Sequence, residues 1–435
     1  MKKKLLALLL ASVFALSTSV VMFATSDIND DDIYALEYID FYDLEIIDVF
    51  DEYTGLNLEI LEDPELLTEF LYTREIMRLQ QPALEAYNLL MGEFLSSNRS
   101  GEIAFAFRDD YAGAFIDDNH NLVIQLTNMD WDTVALYQSL VEYSDAVSFS
   151  EVAFSINELN EFGGVFVDAL DEGNLQITSH GIDVITNSFS ISLYYADEES
   201  VAFMNSFDVM SRMLPIPISF SLSAQIESLM LEGGVGIGDR THIHDFSVGA
   251  TGTGPVGNVL VTTGHIPGIR VGMNIFRNGN LIGRVHSFRG PTGGAAGASG
   301  DWAIITLDSF GTGLMTNRIR TGERLVPGQQ NFLLRPPGTL VGGTGMLTIH
   351  WSGRIARTLQ TFNNTSGITF VTPIARAPIA GDSGGTIYIP GSVTGQVILD
   401  GVLAGRLENG AGTVLYWTYT PAIWFAHFLT SIQQR

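Results

Sequence analysis

The C-terminal half of the chain, from about Gly233 onward, alternates short runs of β-branched and aromatic residues with glycine-rich turns. The turns recur about every ten residues, which is typical of an all-β sandwich or barrel. The N-terminal half differs, because apolar residues at helical spacing occupy residues 64–95. At 435 residues the chain exceeds one ordinary domain, and the change of pattern predicts a boundary near residue 232.

Charge divides the chain at the same place. Residues 1–232 hold 41 acidic and 8 basic residues, a net charge of −33, whereas residues 233–435 hold 8 acidic and 14 basic residues, a net charge of +6. This asymmetry predicts that the first part docks onto the second. The alternative is that the acidic composition only keeps the protein soluble. A net charge of −27 for the whole chain argues against a nucleic-acid partner.

The first 24 residues have the pattern of a secretory signal peptide, with three lysines, an apolar run and then small residues. The alternative is an uncleaved membrane anchor, since residues 5–24 are just long enough to span a bilayer. The chain contains no cysteine, so no disulfide stabilises the exported protein. No second hydrophobic span follows, which predicts release from the cell and no membrane attachment of the mature form.

Residues 380–386, Ala-Gly-Asp-Ser-Gly-Gly-Thr, place a serine between glycines. The glycines allow a tight turn and leave the N–H groups of Gly381 and Ser383 free to bind an oxyanion, although such a stretch is also compatible with an ordinary turn. A nucleophilic serine needs a base, and that base needs an acid to orient it. His265 ends one apolar strand pattern and Asp301 begins another, with Asp308 at the end of that strand as the competing acid.

The order His, Asp, Ser and the motifs Thr-Gly-His, Asp-Trp-Ala-Ile-Ile and Gly-Asp-Ser-Gly-Gly resemble the chymotrypsin-like (trypsin-fold) serine proteases. The resemblance is greatest to the secreted bacterial branch with the streptogrisins, alpha-lytic protease and glutamyl endopeptidases. It implies an all-β double six-stranded antiparallel barrel with His265, Asp301 and Ser383 as catalytic residues. The N–H groups of Gly381 and Ser383 would form the oxyanion hole. The substrate would be a protein or peptide, with no metal or organic cofactor.

The same resemblance implies a substrate pocket with Ala377 as its floor and Ala404 and Gly405 on the strand that pairs with substrate. It also implies an arginine partner for the carboxylate of Asp382, for which the candidates are Arg335, Arg354, Arg376 and Arg406. An alanine floor disfavours a basic side chain, because a buried cation would be unpaired. We therefore expect medium-sized apolar side chains before the cut. The alternative is an acidic side chain drawn by Arg376 or Arg406.

The N-terminal half is predicted to be an α+β module. It begins with a helix over residues 64–95 that Pro82 kinks or splits. Two copies of one pattern, at residues 111–124 and 162–177, predict two β-hairpins that alternate with helices at residues 131–143 and 198–213. The repeated pattern resembles the pro-segments of the alpha-lytic and streptogrisin group. This implies a segment that assists folding and blocks the cleft until removed, the alternative being a permanent accessory domain.

The sequence therefore predicts a signal peptide (1–24), an acidic α+β pro-segment (25–232) and a trypsin-like serine protease domain (233–435) that ends in a helix over residues 422–432. The function predicted is that of a monomeric serine endopeptidase, secreted by a bacterium as a zymogen that binds its own pro-segment. The rival prediction is a secreted binding or adhesion protein that keeps the protease fold without its activity.

Overall fold

The computed structural model describes most of the chain beyond residue 59. The described residues are 60, 62–97, 103–142, 144–172, 175–194, 203, 216–223, 237–238, 246–266, 268–277, 279–290, 299–315, 319, 321, 323–326, 334–345, 348–362, 365–374, 376–379, 382–391, 395–408 and 414–429. Within them, no helix combines the length and apolar character that crossing a bilayer requires. The expected signal peptide, nearly all of the helix over residues 198–213 and the expected boundary near residue 232 lie outside the described residues.

The predicted split of the first helical region is confirmed. In the described part of the chain the α-helices are α1 (Pro64–Leu79), α2 (Gln81–Phe94), α3 (Trp131–Leu140), α4 (Ile156–Glu172) and α5 (Ser309–Gly313). The side chain of Asp63 caps α1 by accepting the N–H groups of Glu65 and Leu66. The chain breaks at Gln80, and Pro82 falls in the first turn of α2, where a missing N–H costs nothing.

The first predicted hairpin is also confirmed. The strands of this half are β1 (Leu95–Ser97), β2 (Ile103–Phe105), β3 (Tyr111–Ile116), β4 (Leu122–Leu126), β5 (Val147–Glu151), β6 (Ile177–Asp183), β7 (Ser188–Tyr194) and β8 (Ile218–Ser223). Strands β3 and β4 pair antiparallel, and β5 adds to β4 in parallel. Strand β1 pairs with β2, and β6 and β7 form a hairpin that β8 extends in parallel.

The second predicted hairpin, at residues 162–177, is wrong. Residues 156–172 form α4, because Leu159, Phe166 and Leu170 fall on one helical face and pack against the β7 residues Phe189 and Ile191. A capping box starts the helix, with Glu158 accepting the N–H of Ser155. The pattern shared with residues 111–124 is therefore a similarity of sequence and not a structural repeat.

The C-terminal half begins with an antiparallel six-stranded sheet. Its strands are β9 (Ile237–Gly238), β10 (Ala250–Gly254), β11 (Gly257–Thr262), β12 (Asn274–Arg277), β13 (Asn280–Arg289) and β14 (Trp302–Leu307). The order is β10-β11-β14-β13-β12-β9, which places β11 and β14 side by side near the middle. The strand predicted to lead into His265 and the strand predicted to follow Asp301 are therefore direct neighbours.

A second set of strands closes on itself. Its members are β15 (Arg324–Val326), β16 (Leu340–Thr344), β17 (Trp351–Phe362), β18 (Thr365–Pro373), β19 (Thr386–Pro390), β20 (Gln396–Glu408) and β21 (Val414–Pro421). The pairings run β16-β19-β20-β21-β18-β17 and return to β16, while β15 adds to β20 in parallel. Strand β17 also pairs with β6, so that β6, β7 and β8 of the N-terminal half extend the same sheet. The chain is mostly β, as expected, but this sheet crosses the expected boundary.

The two strand sets pack face to face. Along β11, Val259 and Val261 point into a cluster shared with Tyr388, Leu399 and Val402 of the second set, as residues two apart on a strand must share a face. Leu260, between them, points the other way into a core made by the first sheet alone. Burial on both faces explains why β11 reads as a continuous apolar run.

The predicted helix over residues 422–432 is wrong in its described part. Two short 3₁₀ turns, Ala422–Trp424 and Ala426–Phe428, replace it. Tertiary packing sets this path, since Ile423 enters a cluster with α2 and β3 while Phe425 enters the cluster between the two strand sets. The indole of Trp424 donates to the carbonyl of Gly367 at 2.9 Å.

The helical assignment of residues 156–172 is tested by two neighbouring glycines. A Cβ on Gly163 would overlap the ring of Phe189, whereas a Cβ on Gly164 would meet nothing within 4 Å. We expect Gly163→Ala to destabilise the protein by about 1–3 kcal/mol through overpacking. Gly164→Ala should stabilise it by about 0.5–1 kcal/mol through helix propensity. Urea denaturation measures both changes in the free energy of unfolding. If residues 162–177 formed a hairpin, the two substitutions would not change that free energy in opposite directions.

Candidate active site

His265 lies three residues beyond the end of β11, where the chain leaves the first sheet. Gly264 before it is tightly enclosed, because any side chain there would overlap the carbonyl oxygen of Arg289 on β13. The histidine is only 4% exposed. The predicted motif of a buried strand, a glycine and a histidine thus places the imidazole just beyond the end of β11.

Asp301 immediately precedes β14 and contacts this histidine. Its Oδ2 lies 2.5 Å from Nδ1 of His265, and its Oδ1 accepts the N–H of Gly264 at 2.9 Å. Oδ2 also accepts the hydroxyl of Thr263 at 3.1 Å. The backbone of Asp301 is held by Thr420, whose hydroxyl oxygen accepts its N–H at 2.7 Å and whose hydroxyl donates to its carbonyl at 3.0 Å. Both carboxylate oxygens are therefore bound within a buried pocket.

The competing acid, Asp308, has another task. Its Oδ1 accepts the N–H of Gly311 at 2.8 Å and caps the short helix α5. Of the two candidate acids, the structure places Asp301 against His265 and Asp308 at a helix N-terminus.

Ser383 lies just before β19, in a loop held against the end of β11. Its carbonyl accepts the N–H of Ser247 at 2.7 Å. The next residue, Gly384, has φ +84°, and a Cβ there would lie 2.5 Å from the carbonyl oxygen of Ser247 and 3.1 Å from the backbone nitrogen of Thr263. Only a residue without a side chain fits this conformation and this space. The loop therefore brings the serine to the strand end that carries the histidine.

Two buried polar atoms at this place have no hydrogen-bond partner in the described part of the chain. They are Oγ of Ser383 and Nε2 of His265, and Ser383 is only 1% exposed. Buried polar atoms are usually paired, and a catalytic role is one of the reasons for an exception. A catalytic hydrogen bond often forms only when substrate is bound, which fits an unmade contact between these two atoms.

The rest of the predicted oxyanion hole and the partner of Asp382 are only partly described. Gly381 lies outside the described residues. Asp382 is fully buried, and its carboxylate accepts the N–H groups of Thr348 and Ile379 at 3.1 and 2.9 Å. The four candidate arginines contact other groups: Arg335 pairs with Asp400, Arg354 donates to Gly338, Arg376 contacts Asp63 and Glu69, and Arg406 pairs with Glu408. An arginine partner for Asp382 stays a prediction.

The residues predicted to form the substrate pocket lie around the second strand set. Ala377 is partly buried and packs against an apolar cluster that includes Leu403, Trp417 and Tyr419. Ala404 and Gly405 lie on β20 and are buried. The surroundings of Ala377 are therefore apolar.

The described residues contain no group of three or more His, Asp or Glu side chains arranged to hold a metal ion. His242 and His244, which are spaced to share one face of a strand, fall outside the described residues. Hydroxyl, imidazole and carboxylate groups are the polar side chains that the structure brings together here.

Sequence reasoning missed two threonines that hold the acid, Thr263 and Thr420. A signal for Thr263 was available, because residues two apart on an extended segment point to the same side, and Thr263 is two residues before His265. No comparable signal exists for Thr420, because 119 residues of sequence separate it from Asp301.

No known protein family profile and no curated protein sequence matches this chain. Comparison of the fold with solved structures does find similar proteins. They include a glutamic-acid-specific serine protease (17% identity, TM-score 0.30, 45% of this chain and 96% of the other) and Nocardiopsis protease (19%, TM-score 0.32, 47% and 99%). Cellulomonas bogoriensis chymotrypsin is a third (19%, TM-score 0.31, 45% and 93%). These structural neighbours are chymotrypsin-like serine proteases.

Proposed function

We propose that this protein is a secreted bacterial serine endopeptidase, made as a zymogen, in which Ser383, His265 and Asp301 form the catalytic triad. The observation that carries the proposal is one buried constellation. The carboxylate of Asp301 holds Nδ1 of His265 at 2.5 Å, while Nε2 of His265 and Oγ of Ser383 are both left unpaired. Among the described residues, neither the base nor the nucleophile is committed to another polar group.

The reaction would begin when Oγ of Ser383 attacks the scissile carbonyl carbon and passes its proton to Nε2 of His265. The resulting imidazolium is stabilised by Asp301. The N–H groups of Ser383 and Gly381 would bind the oxyanion of the tetrahedral intermediate. The intermediate collapses as Nε2 gives its proton to the leaving amine, and an acyl-enzyme remains. Water, deprotonated by the same imidazole, then releases the acid and regenerates the serine hydroxyl.

Burial of the nucleophile supports synthesis as a zymogen. Oγ of Ser383 has no exposed surface to speak of, so a substrate cannot reach it in this arrangement. The N-terminal half is docked on the same half of the chain through the pairing of β6 with β17 and through contacts of α1. We infer that residues 25–232 act as a pro-segment that must move or be removed before substrate binds.

Gln80, between α1 and α2, joins the N-terminal half to the start of β16 through two hydrogen bonds. It is fully buried, its Oε1 accepts the N–H of Leu340 at 2.7 Å, and its Nε2 donates to the carbonyl of Gly338 at 2.9 Å. The side-chain amide thereby satisfies the start of β16 as a neighbouring strand would. The N–H of Leu340 would need water or another partner if the N-terminal half were absent, whereas the carbonyl of Gly338 also accepts from Arg354 at 3.1 Å.

Helix α1 adds a buried ionic contact. Arg74 forms an ion pair with Glu323, and both side chains are nearly inaccessible to solvent. The guanidinium also lies 5.4 Å from the ring centroid of Tyr388 on β19. Removing one partner of a buried ion pair is costly, because the other charge stays buried without its counter-ion. Loss of α1 from an otherwise unchanged structure would leave Glu323 in that state.

Phe70 of the same helix covers His350, with ring centroids 5.3 Å apart. Burial, together with the positive charges of Arg74 and Arg376, lowers the pKa of His350 to about 3. The imidazole is therefore neutral at physiological pH, and its Nδ1 lies 2.9 Å from the hydroxyl of Tyr388. The docked surface thus combines apolar, ionic and hydrogen-bonding contacts.

The catalytic assignment is tested by paired substitutions of the two acids. Asp301→Asn should reduce turnover by several orders of magnitude, because the amide favours the wrong imidazole tautomer. Asp308→Asn should leave turnover nearly unchanged, since asparagine caps a helix as well as aspartate does. Reaction with a fluorophosphonate probe and peptide hydrolysis measure both, with Ser383→Ala as the unreactive control. Normal activity of Asp301→Asn would contradict the assignment. A processed wild-type protein that is never labelled would instead favour a binding protein.

The pro-segment assignment is tested by adding residues 25–232 in trans. We expect residues 233–435 alone to refold poorly, to be rescued by the segment, and to be inhibited by it once mature, more strongly at low salt. Gln80→Met should weaken inhibition by about 10- to 100-fold, because two buried hydrogen bonds are lost. Gln81→Met, which removes only an exposed bond to Glu85, is the matched control. Unaided refolding to full activity without inhibition would indicate an accessory domain.

The apolar surroundings of Ala377 support cleavage after medium-sized apolar residues. Arg406, which would favour an acidic side chain, is paired with Glu408 of the same half. Arg376 is paired with Asp63 and Glu69 of the proposed pro-segment and would lose both partners with it, so Arg376 is the residue that would favour the acidic alternative. From the apolar surroundings of Ala377, we expect digestion of a peptide library to yield cuts mainly after apolar residues. Cuts mainly after glutamate that disappear in Arg376→Ala or Arg406→Ala would contradict the expected specificity.

A further inference from the structure

The hydroxyl of Thr263 lies between the two side chains that prepare the base. Its Oγ1 is 2.5 Å from Nδ1 of His265 and 3.1 Å from Oδ2 of Asp301, and these two atoms are themselves 2.5 Å apart. Thr263 is fully buried. Three polar atoms thus form a closed triangle on the side of the imidazole that faces away from its unpaired Nε2.

The roles in this triangle follow from what each group can donate. An ionised carboxylate only accepts, so the threonine hydroxyl donates to Oδ2 of Asp301. The lone pairs of the threonine oxygen then face Nδ1 of His265. They can accept a hydrogen bond from a protonated Nδ1, whereas an unprotonated Nδ1 would place its own lone pair against them. Oδ1 of Asp301 is already held by the N–H of Gly264 at 2.9 Å. The hydroxyl therefore fixes the second carboxylate oxygen and the tautomer of the ring at once.

We propose that Thr263 is a positioning residue of this enzyme, which holds the Asp301 carboxylate and keeps the proton of His265 on Nδ1 so that Nε2 is free to accept the proton of Ser383. This inference rests on the proposed function and adds to it a residue that touches neither the substrate nor the reacting atoms. Thr420 serves the same acid differently, because it binds only the backbone of Asp301.

The test compares Thr263→Val, which keeps the shape and removes the hydroxyl, with Thr263→Ser, which keeps the hydroxyl. All variants are expressed as the full chain and are processed in the same way as the wild type before activity is measured. Thr339→Val is the matched control, since Thr339 is equally buried and donates to the carbonyl of Pro336 at 2.7 Å. If the valine variant fails to fold, Thr263→Ala takes its place.

We expect Thr263→Val to lower kcat by about 10- to 100-fold, with KM changed by less than about twofold, because the lost bond involves a charged group and orients the base. Thr263→Ser should restore most of the activity, and Thr339→Val should retain it. A stabilising role alone would affect thermal unfolding without this split between kcat and KM. Wild-type kcat in a folded Thr263→Val enzyme, or a loss that serine does not restore, would overturn the inference.

A second measurement does not depend on activity. The proton on Nδ1 of His265 should give a low-field NMR resonance, which is identified by its loss in His265→Ala. We expect Thr263→Val to shift this resonance and Thr339→Val to leave it in place. An unshifted resonance in Thr263→Val overturns the inference whatever the kinetics. If the resonance shifts but the wild-type protein neither reacts with a fluorophosphonate nor cleaves peptides, the placement of Thr263 stands and the proposed function fails.

Discussion

The candidate site depends on the contact between the end of β11 and the loop that carries Ser383. This contact joins the two strand sets, because β11 belongs to the first and the loop leads into β19 of the second. Gly384 fits closely against Thr262 and Thr263 at the end of β11. The carbonyl of Ser383 accepts the N–H of Ser247, a residue before β10 whose own carbonyl accepts the hydroxyl of Thr262 at 2.8 Å. Since no side chain fits at Gly384, close backbone packing holds the loop that carries Ser383 against this strand end.

The parts of the site that could be predicted from sequence are those encoded locally. A run of apolar residues ending at His265, and another starting after Asp301, predict two buried strands whose ends carry polar groups, and the structure places those strands side by side. The hairpin expected at residues 162–177 failed because Phe-Gly-Gly-Val-Phe fits both strand alternation and one face of a helix. Packing of Gly163 against Phe189, which no local pattern reveals, decides in favour of the helix. The role of Thr420 was equally out of reach, as it depends on the meeting of β21 with β14.

The docking of the two halves is not a simple attraction of opposite charges. The N-terminal half carries the excess of acid, yet the buried ion pair between the halves uses its arginine, Arg74, and a glutamate, Glu323, from the more basic half. The pairs between Arg376 and the acids Asp63 and Glu69 follow the overall charge but lie partly exposed, where ion pairs contribute little. Arg357 and Asp183 form a further pair of this kind, which is more buried. Overall charge therefore favours the encounter, while the fit of Gln80, Arg74 and Phe70 determines how the surfaces join.

Strand β17 is 12 residues long. At its C-terminal end, Thr361 and Phe362 pair with His180 and Ser179 of β6, which belongs to the N-terminal half. If the N-terminal half is removed, as proposed above, that end of β17 becomes an unprotected strand edge with backbone groups open to any extended peptide. Further copies of the chain or unfolded proteins could then add to this edge by strand pairing. Under that proposal, conditions that favour cleavage of the precursor would also favour self-association of the product.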